Sequence, residues 1–219
     1  NHYMATVSDY MKMGNGYSHL AVYLPNEDMM MEGELSDELK TPAAKDQWEM
    51  REVRMPIETE GYSPVWISSH FLEKATVNNG CIYVGERIIP ALYLDVEWLD
   101  MDSLDQLLRL AENNLPIVLK RVPKQPGKIP STIYTEKLAK LTAMASVKNT
   151  LEEINLKPTI EGTDLPYHWI REAEDRFFIF FAHPETRNVR YPMEYNQSLK
   201  AVKIEREITI NLNEAHLSY

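Results

Sequence analysis

Cysteine is nearly missing from this chain: Cys81 is the only one among 219 residues. A disulfide within the chain is therefore impossible, and a four-thiolate zinc site is excluded. Long apolar runs are missing too. The longest is Phe177-Phe178-Ile179-Phe180-Phe181-Ala182, whereas a membrane-crossing helix needs about 20 apolar residues. Positive charge is scarce, with 23 Lys and Arg against 33 Asp and Glu and a net charge of −10. The densest basic stretch, Lys120-Arg121-Val122-Pro123-Lys124 with Lys128, is too short to replace the counterions of a nucleic-acid backbone. Neither nucleic acid nor membrane is expected as a partner.

Motifs for the common chemistries are missing as well. Gly14-Asn15-Gly16 comes before a strand pattern, and a phosphate-cradling glycine loop must follow one. The six histidines, at 2, 19, 70, 168, 183 and 216, form no metal-spaced pair. No Gly-x-Ser-x-Gly elbow occurs. No cofactor and no metal are expected. No apolar leader pattern opens the chain. Asn1 is not an initiator Met, so an upstream segment is expected, and the compartment of this soluble chain is left open, with periplasmic or secreted among the options.

What is present is a globular pattern with 44% hydrophobic residues, ordinary for a packed core. Residues 3–13 read as a short amphipathic helix, stopped by Gly14-Asn15-Gly16. His19–Leu24 reads as a buried strand. Residues 25–63 read as a long irregular stretch with a helix around 43–52, and such stretches are often functional. Residues 64–67 read as a strand, and 69–74 as a helix capped by Ser68 or Ser69. Asn78-Asn79-Gly80 joins two strands of a hairpin, and a turn at 85–87 follows. Residues 89–96 read as a third central strand and 115–119 as the next. Between them lies a helix capped by Asp102 or Ser103, with Leu104, Leu107, Leu108 and Ala111 on one face. Strand, helix, strand makes a crossover unit, hence a parallel pair. A turn or lid at 124–128 precedes a helix over 132–144, with Ile133, Leu138, Leu141 and Met144 as its apolar face. Residues 147–155 read as helical.

After Gly162 the texture changes to strand-like runs at 169–173, 176–182, 189–193, 199–205 and 207–212, with no helix between them. This predicts antiparallel β structure. A boundary near 156–163 divides an α/β domain, 1–160, from a small antiparallel β domain, 161–219.

The richest polar cluster is Trp48-Glu49-Met50-Arg51-Glu52-Val53-Arg54. Aromatic rings can stack on pyranose C–H groups while Arg and Glu take the hydroxyls, so Trp48, Glu49, Arg51 and Arg54 are candidate sugar contacts. A solvated helix with internal salt bridges explains the same residues. Asp95 stands at the carboxyl end of a parallel strand, where open α/β sheets place ligands, and Asp100 is equally a helix cap. Ser69 and His70 with an acid would make a hydrolase triad, though capping explains the serines. Cys81, in a strand pattern, reads as a buried apolar side chain rather than a nucleophile. Tyr167-His168-Trp169 and Ala182-His183-Pro184-Glu185 bracket a hairpin and read as packing or as ligand contacts.

Two stretches carry a family resemblance. One runs from Pro64-Val65-Trp66-Ile67-Ser68 through Tyr93-Leu94-Asp95-Val96 and Leu104-Asp105-Gln106-Leu107-Leu108 to Leu115-Pro116-Ile117-Val118-Leu119. The other is His168-Trp169-Ile170-Arg171-Glu172-Ala173, then Phe178-Ile179-Phe180-Phe181-Ala182-His183-Pro184. Together they resemble the back half of large glycoside hydrolases of the α-L-rhamnosidase-like and β-galactosidase-like type. In those enzymes a catalytic (β/α) barrel precedes a glutamine-amidotransferase-like α/β domain and then β domains. The family's usual Gly is missing from Leu115–Leu119, and His183 stands where the family has Asn.

The resemblance spans most of residues 1–205. It implies a flavodoxin-like or class I glutamine-amidotransferase-like parallel sheet, followed by a small antiparallel β domain. It also implies an accessory, non-catalytic portion of a glycoside hydrolase. Its catalytic carboxylates would lie upstream, its partners would be that upstream domain and a carbohydrate, and self-association into a homo-oligomer stays open. The alternative is a stand-alone ligand- or protein-binding module. On the first reading, residues 25–63 are expected to reach the barrel's active site.

Overall fold

A computed structural model describes residues 2–31, 53–127, 129, 131–174, 176–182 and 205–211. Helix α1 spans His2–Lys12, and short strands β1 (Asn15–Gly16) and β2 (Ala21–Tyr23) follow. Helix α2 occupies Asn26–Met31, and a 3-10 turn covers Ile57–Tyr62. Strand β3 (Val65–Ile67) leads into α3 (Ser69–Lys74), then β4 (Thr76–Asn78), β5 (Cys81–Val84) and β6 (Arg87–Ile89). The crossover is β7 (Leu92–Leu94), α4 (Met101–Glu112) and β8 (Ile117–Leu119). It continues through α5 (Thr132–Thr142) to β9 (Val147–Lys148), with a 3-10 turn at Leu151–Ile154. The remaining described strands are β10 (Ile160–Gly162), β11 (Tyr167–Ala173), β12 (Arg176–Ala182) and β13 (Ile208–Ile210).

The organising element is a five-stranded sheet in the order β3-β2-β7-β8-β9, with every pair parallel. Alternation along the strands feeds two cores. Ala21, Tyr23, Leu92, Leu94, Ile117 and Leu119 face one core, with Leu104, Leu107, Leu108 and Leu110 of α4 over them. Leu20, Val22, Ala91, Tyr93 and Val118 face the other, against Tyr62 and Leu151. Both faces of the sheet are buried, so these strands are apolar on both sides and carry no polar alternation.

Three small antiparallel sheets surround it: β4-β5-β6, β1-β11-β12 and β10-β13. The turn between β4 and β5 has positive φ at both Asn79 (50°) and Gly80 (73°), which matches the twist of a tight hairpin. Sheet β1-β11-β12 joins the start of the chain to its later part, with Gly16 opposite Arg171.

Several local expectations need correction. Residues 25–31 are not irregular: Pro25 and the acidic first turn of Glu27 and Asp28 start α2, a helix-start signature. Ile89 belongs to hairpin strand β6, opposite Ile82. Pro90 separates it from the central strand, which is only Leu92–Leu94. The cap of α4 is Asp100, whose Oδ1 accepts the Ser103 N–H at 2.7 Å, and not Asp102 or Ser103. On α5 and just after it, Leu138, Leu141 and Met144 do face the core, but Ile133 is 57% exposed and Tyr134 is buried in its place. Val147 and Lys148 form an edge strand of the parallel sheet rather than a helix. Parallel pairing with β8 decides there, and no local pattern announces it. Cys81 does lie in a hairpin strand but is only half-buried. The runs expected at 189–193 and 199–204 lie outside the described residues.

Candidate functional site at the carboxyl edge of the sheet

Strands β2 and β7 are sequence-distant neighbours. The chain departs from β2 toward β3 on one side and from β7 toward β8 on the other. A crevice between such strands, at their carboxyl ends, is where open α/β sheets hold ligands. The side chains there come from α2, from the segment after β7, and from the first turn of α4.

Tyr23 ends β2 and projects its hydroxyl between α2 and α4. It lies 2.9 Å from Glu27 Oε1, to which it donates, and 2.9 Å from Ser103 Oγ. Ser103 donates to the same Oε1 at 3.2 Å. Glu27 is 8% exposed, and its Oε2 has no hydrogen-bond partner among the described residues. Tyr134 reaches the same region from α5, buried and with its hydroxyl unpaired among the described residues. Burial, then the charges of Asp100 and Glu27, push the Tyr134 phenol up to about 12. Burial likewise raises the Tyr23 phenol. Both phenols therefore stay protonated at neutral pH, so neither offers a phenolate as a general base.

The rest of the edge is tied up internally. The Asp28 carboxylate accepts the backbone N–H of Glu97 at 2.9 Å and of Trp98 at 2.6 Å. Asp95, the candidate site residue predicted from its place after a central strand, does stand at this edge and pairs with Arg121. Glu97 pairs with Lys124 at 3.0 Å, and that ammonium sits 5.5 Å from the Trp98 ring centroid. Tyr93 donates to Glu58 at 2.7 Å, and Lys120 lies 3.1 Å from the same carboxylate. The Tyr93 bond is the main reason the Glu58 carboxyl is held below its usual range.

Beside this edge a cavity of about 460 Å³ is lined by Ser69, His70, Asp100, Asp102 and Ser103, among others. The triad candidates thus share a wall with acids. However, His70 Nε2 lies 2.9 Å from Lys74 Nζ, and no hydrogen bond joins Ser69 to His70 among the described residues. Of the other candidate sugar contacts, Arg54 is exposed, while Trp48, Glu49 and Arg51 lie outside the described residues. No group of three or more His, Cys, Asp or Glu that could hold a metal occurs among the described residues. No described helix is long and apolar enough to cross a membrane.

The Tyr23–Glu27–Ser103 cluster was missed in the sequence. Its one local signal is a carboxylate four residues beyond a tyrosine that ends a buried strand. Ser103 comes from 76 residues further on than Glu27, and no local pattern reports that meeting.

No protein-family model matches the chain, and no curated protein matches it.

Proposed function

We propose that this chain is a non-catalytic accessory or interface portion of a carbohydrate-active glycoside hydrolase, built on a flavodoxin-like or amidotransferase-like sheet. In chain order the parallel strands lie second-first-third-fourth-fifth, which is the flavodoxin-like arrangement. The observation that carries the functional reading is the state of the carboxyl edge. Asp28, Asp95, Glu97, Asp100 and Glu58 each bond to a group of the chain itself. In the buried Tyr23–Glu27–Ser103 cluster, both hydroxyls donate to Glu27 Oε1. Among the described residues these carboxylates are engaged by the chain itself, which supports a platform rather than the pair of spaced carboxylates used in glycoside hydrolysis. Its place as a rigid platform against a catalytic barrel follows from the resemblance carried by residues 64–119 and 168–184. The partners on this reading are the upstream catalytic domain and its carbohydrate.

The test is the activity of two proteins on aryl α-L-rhamnoside and aryl β-D-galactoside. The product of the whole coding sequence should hydrolyse one of them, and the 219-residue chain alone neither. The coding sequence ahead of Asn1 should show the alternating strand and helix pattern of a barrel. Turnover by the chain alone, abolished in Ser69→Ala, would replace this reading with a free-standing hydrolase. The alternative of a stand-alone binding module gains support from an open groove on the opposite side of strand β3.

A further inference from the structure

Two cavities, of about 420 Å³ and 530 Å³, share Gly16, Val65, Trp66, Arg87 and Arg171 as a common wall. They form one groove between edge strand β3 and the sheet β1-β11-β12. Its combined size suits a ligand of a few rings. Strand alternation sorts the β11 residues that border it. Ile170 is 3% exposed and packs in the core under β11 and β12. Tyr167, Trp169 and Arg171 stand on the other face, and the two rings are 46% and 49% exposed. Trp169 is steadied by the Phe180 ring across the hairpin, at 5.9 Å between centroids. A large ring held by a neighbour yet open on its outer face is a stacking platform that loses little conformational freedom on binding.

The charge pattern is the second, independent observation. Gly16 lies directly opposite Arg171 in the β1–β11 register, so their side-chain positions point to the same side of the sheet. A Cβ on Gly16 would stand 2.8 Å from Arg87 Nη2. The missing side chain of Gly16 thus makes room for the Arg87 guanidinium, beside the strand position paired with Arg171, and both arginines line both cavities. Arg171 donates to the backbone oxygens of Met13 and Gly14, which are neutral and leave its charge uncompensated. Arg87 makes no hydrogen bond among the described residues, and neither arginine forms an ion pair among them. Glu60 borders one cavity and Glu86 the other, and neither is bonded to an arginine. Two like charges brought together repel each other. In a chain with ten more acids than bases, two arginines on one groove wall, with no carboxylate bonded to either among the described residues, suit an anion from outside. Planar guanidinium forks suit a carboxylate in particular.

We propose that this groove binds an acidic saccharide, with the arginine pair Arg87 and Arg171 taking the carboxylate of a uronic acid and Trp169 and Tyr167 carrying the sugar rings. The choice of a saccharide over another flat anion rests on the carbohydrate reading above. The geometry of an anion site flanked by aromatic platforms does not.

The experiment is calorimetric titration of the 219-residue chain with trigalacturonate, galactotriose and 6-sulfated galactotriose. Trigalacturonate should bind, and galactotriose at least about tenfold more weakly, as expected for the loss of one charge-assisted contact. Arg87→Ala should weaken trigalacturonate by about tenfold or more and leave galactotriose unchanged. Arg87 is exposed, so the variant should fold, and an unaltered far-UV spectrum checks this. Trp169→Ala should weaken both sugars alike. Equal binding of the acidic and neutral sugars, or no effect of Arg87→Ala, would overturn the arginine role. No binding of any of the three would overturn the site, and tighter binding of the sulfated sugar would overturn the carboxylate assignment. These outcomes are read on the chain itself, whereas the hydrolase reading is decided by the upstream coding sequence and its activity.

Discussion

The carboxylate of Asp28 accepts the backbone N–H of Trp98 at 2.6 Å, across a separation of 70 residues. With the Glu97 N–H on its other oxygen at 2.9 Å, it ties the first turn of α2 to the segment that leaves β7. One side chain thus closes the crevice between the two strands where the sheet changes direction. Asp28→Asn keeps one acceptor but loses the charge and the second oxygen, and Asp28→Ala loses both. We expect Asp28→Ala to lower unfolding free energy by about 1–3 kcal/mol, with Asp28→Asn between it and the parent. Urea unfolding of the three proteins checks the order.

Tyr23 and Glu27 should be energetically coupled. Tyr23→Phe leaves a buried carboxylate with one donor fewer, at a cost of about 1–3 kcal/mol. Once Glu27 is already Gln, the same change should cost less, because a neutral amide is cheaper to leave unpaired. The double-mutant cycle should give a coupling of at least about 0.5 kcal/mol. A cycle that closes to zero would show that the hydroxyl and the carboxylate do not stabilise each other.

The cap of α4 offers a cleaner local test. Asp100→Ala should cost about 1 kcal/mol, and Asp100→Asn much less, since both Asp and Asn accept the N–H of Ser103. Asp102→Ala should be near neutral, because Asp102 is exposed and does not cap. Thermal melts of the three variants would separate the two positions.

Gly14 cannot be replaced cheaply. Its φ is +53°, and a Cβ there would lie 1.9 Å from the backbone oxygen of Glu172. Backbone cannot move aside as a flexible side-chain tip can, so Gly14→Ala should separate β1 from β11 and cost more than about 1 kcal/mol. Hydrogen exchange at the Tyr17 N–H, which donates to Ile170 O at 3.0 Å, should speed up in the variant.

His19 sets a pH dependence. Burial holds its imidazole below the ordinary histidine value, and a bond to the Lys157 backbone opposes this only in part. The ring is held between the Tyr17 hydroxyl and the Thr159 hydroxyl, the latter at 3.1 Å. The folded state therefore takes up its proton at lower pH than the unfolded chain does. Stability from this site is complete above about pH 6.5 and is lost as the pH falls below it toward the folded value. Carboxylates held low, such as Glu58, lose their contribution only as the pH falls below the usual carboxylate range. His19→Gln should flatten the stability profile between pH 7 and 5 and leave the more acidic limb in place. An unchanged slope in that window would remove His19 from the account.

Much of this molecule is legible in its sequence where the information is local. The hairpin at Asn79-Gly80, the helix over Ser69–Lys74 and the leucine face of α4 follow from turn chemistry and from period. The parallel pairing of β7 and β8 follows because a strand, helix and strand within 28 residues close only one way. The same positional logic places Asp95 just past the end of a central strand, and there it pairs with Arg121. Other features depend on partners distant in the chain. Val147-Lys148 is a strand only because β8 offers it an edge. Ser103 reaches Glu27 only once α4 packs beside α2, and Arg87 fills the space over the bare Cα of Gly16 only after β1 and β6 have come together. Sequence periodicity records which face of an element is apolar, because burial acts on each residue by itself. It cannot record which two polar side chains meet. That depends on the register and order of strands far apart in the chain, which are decided when the whole core packs.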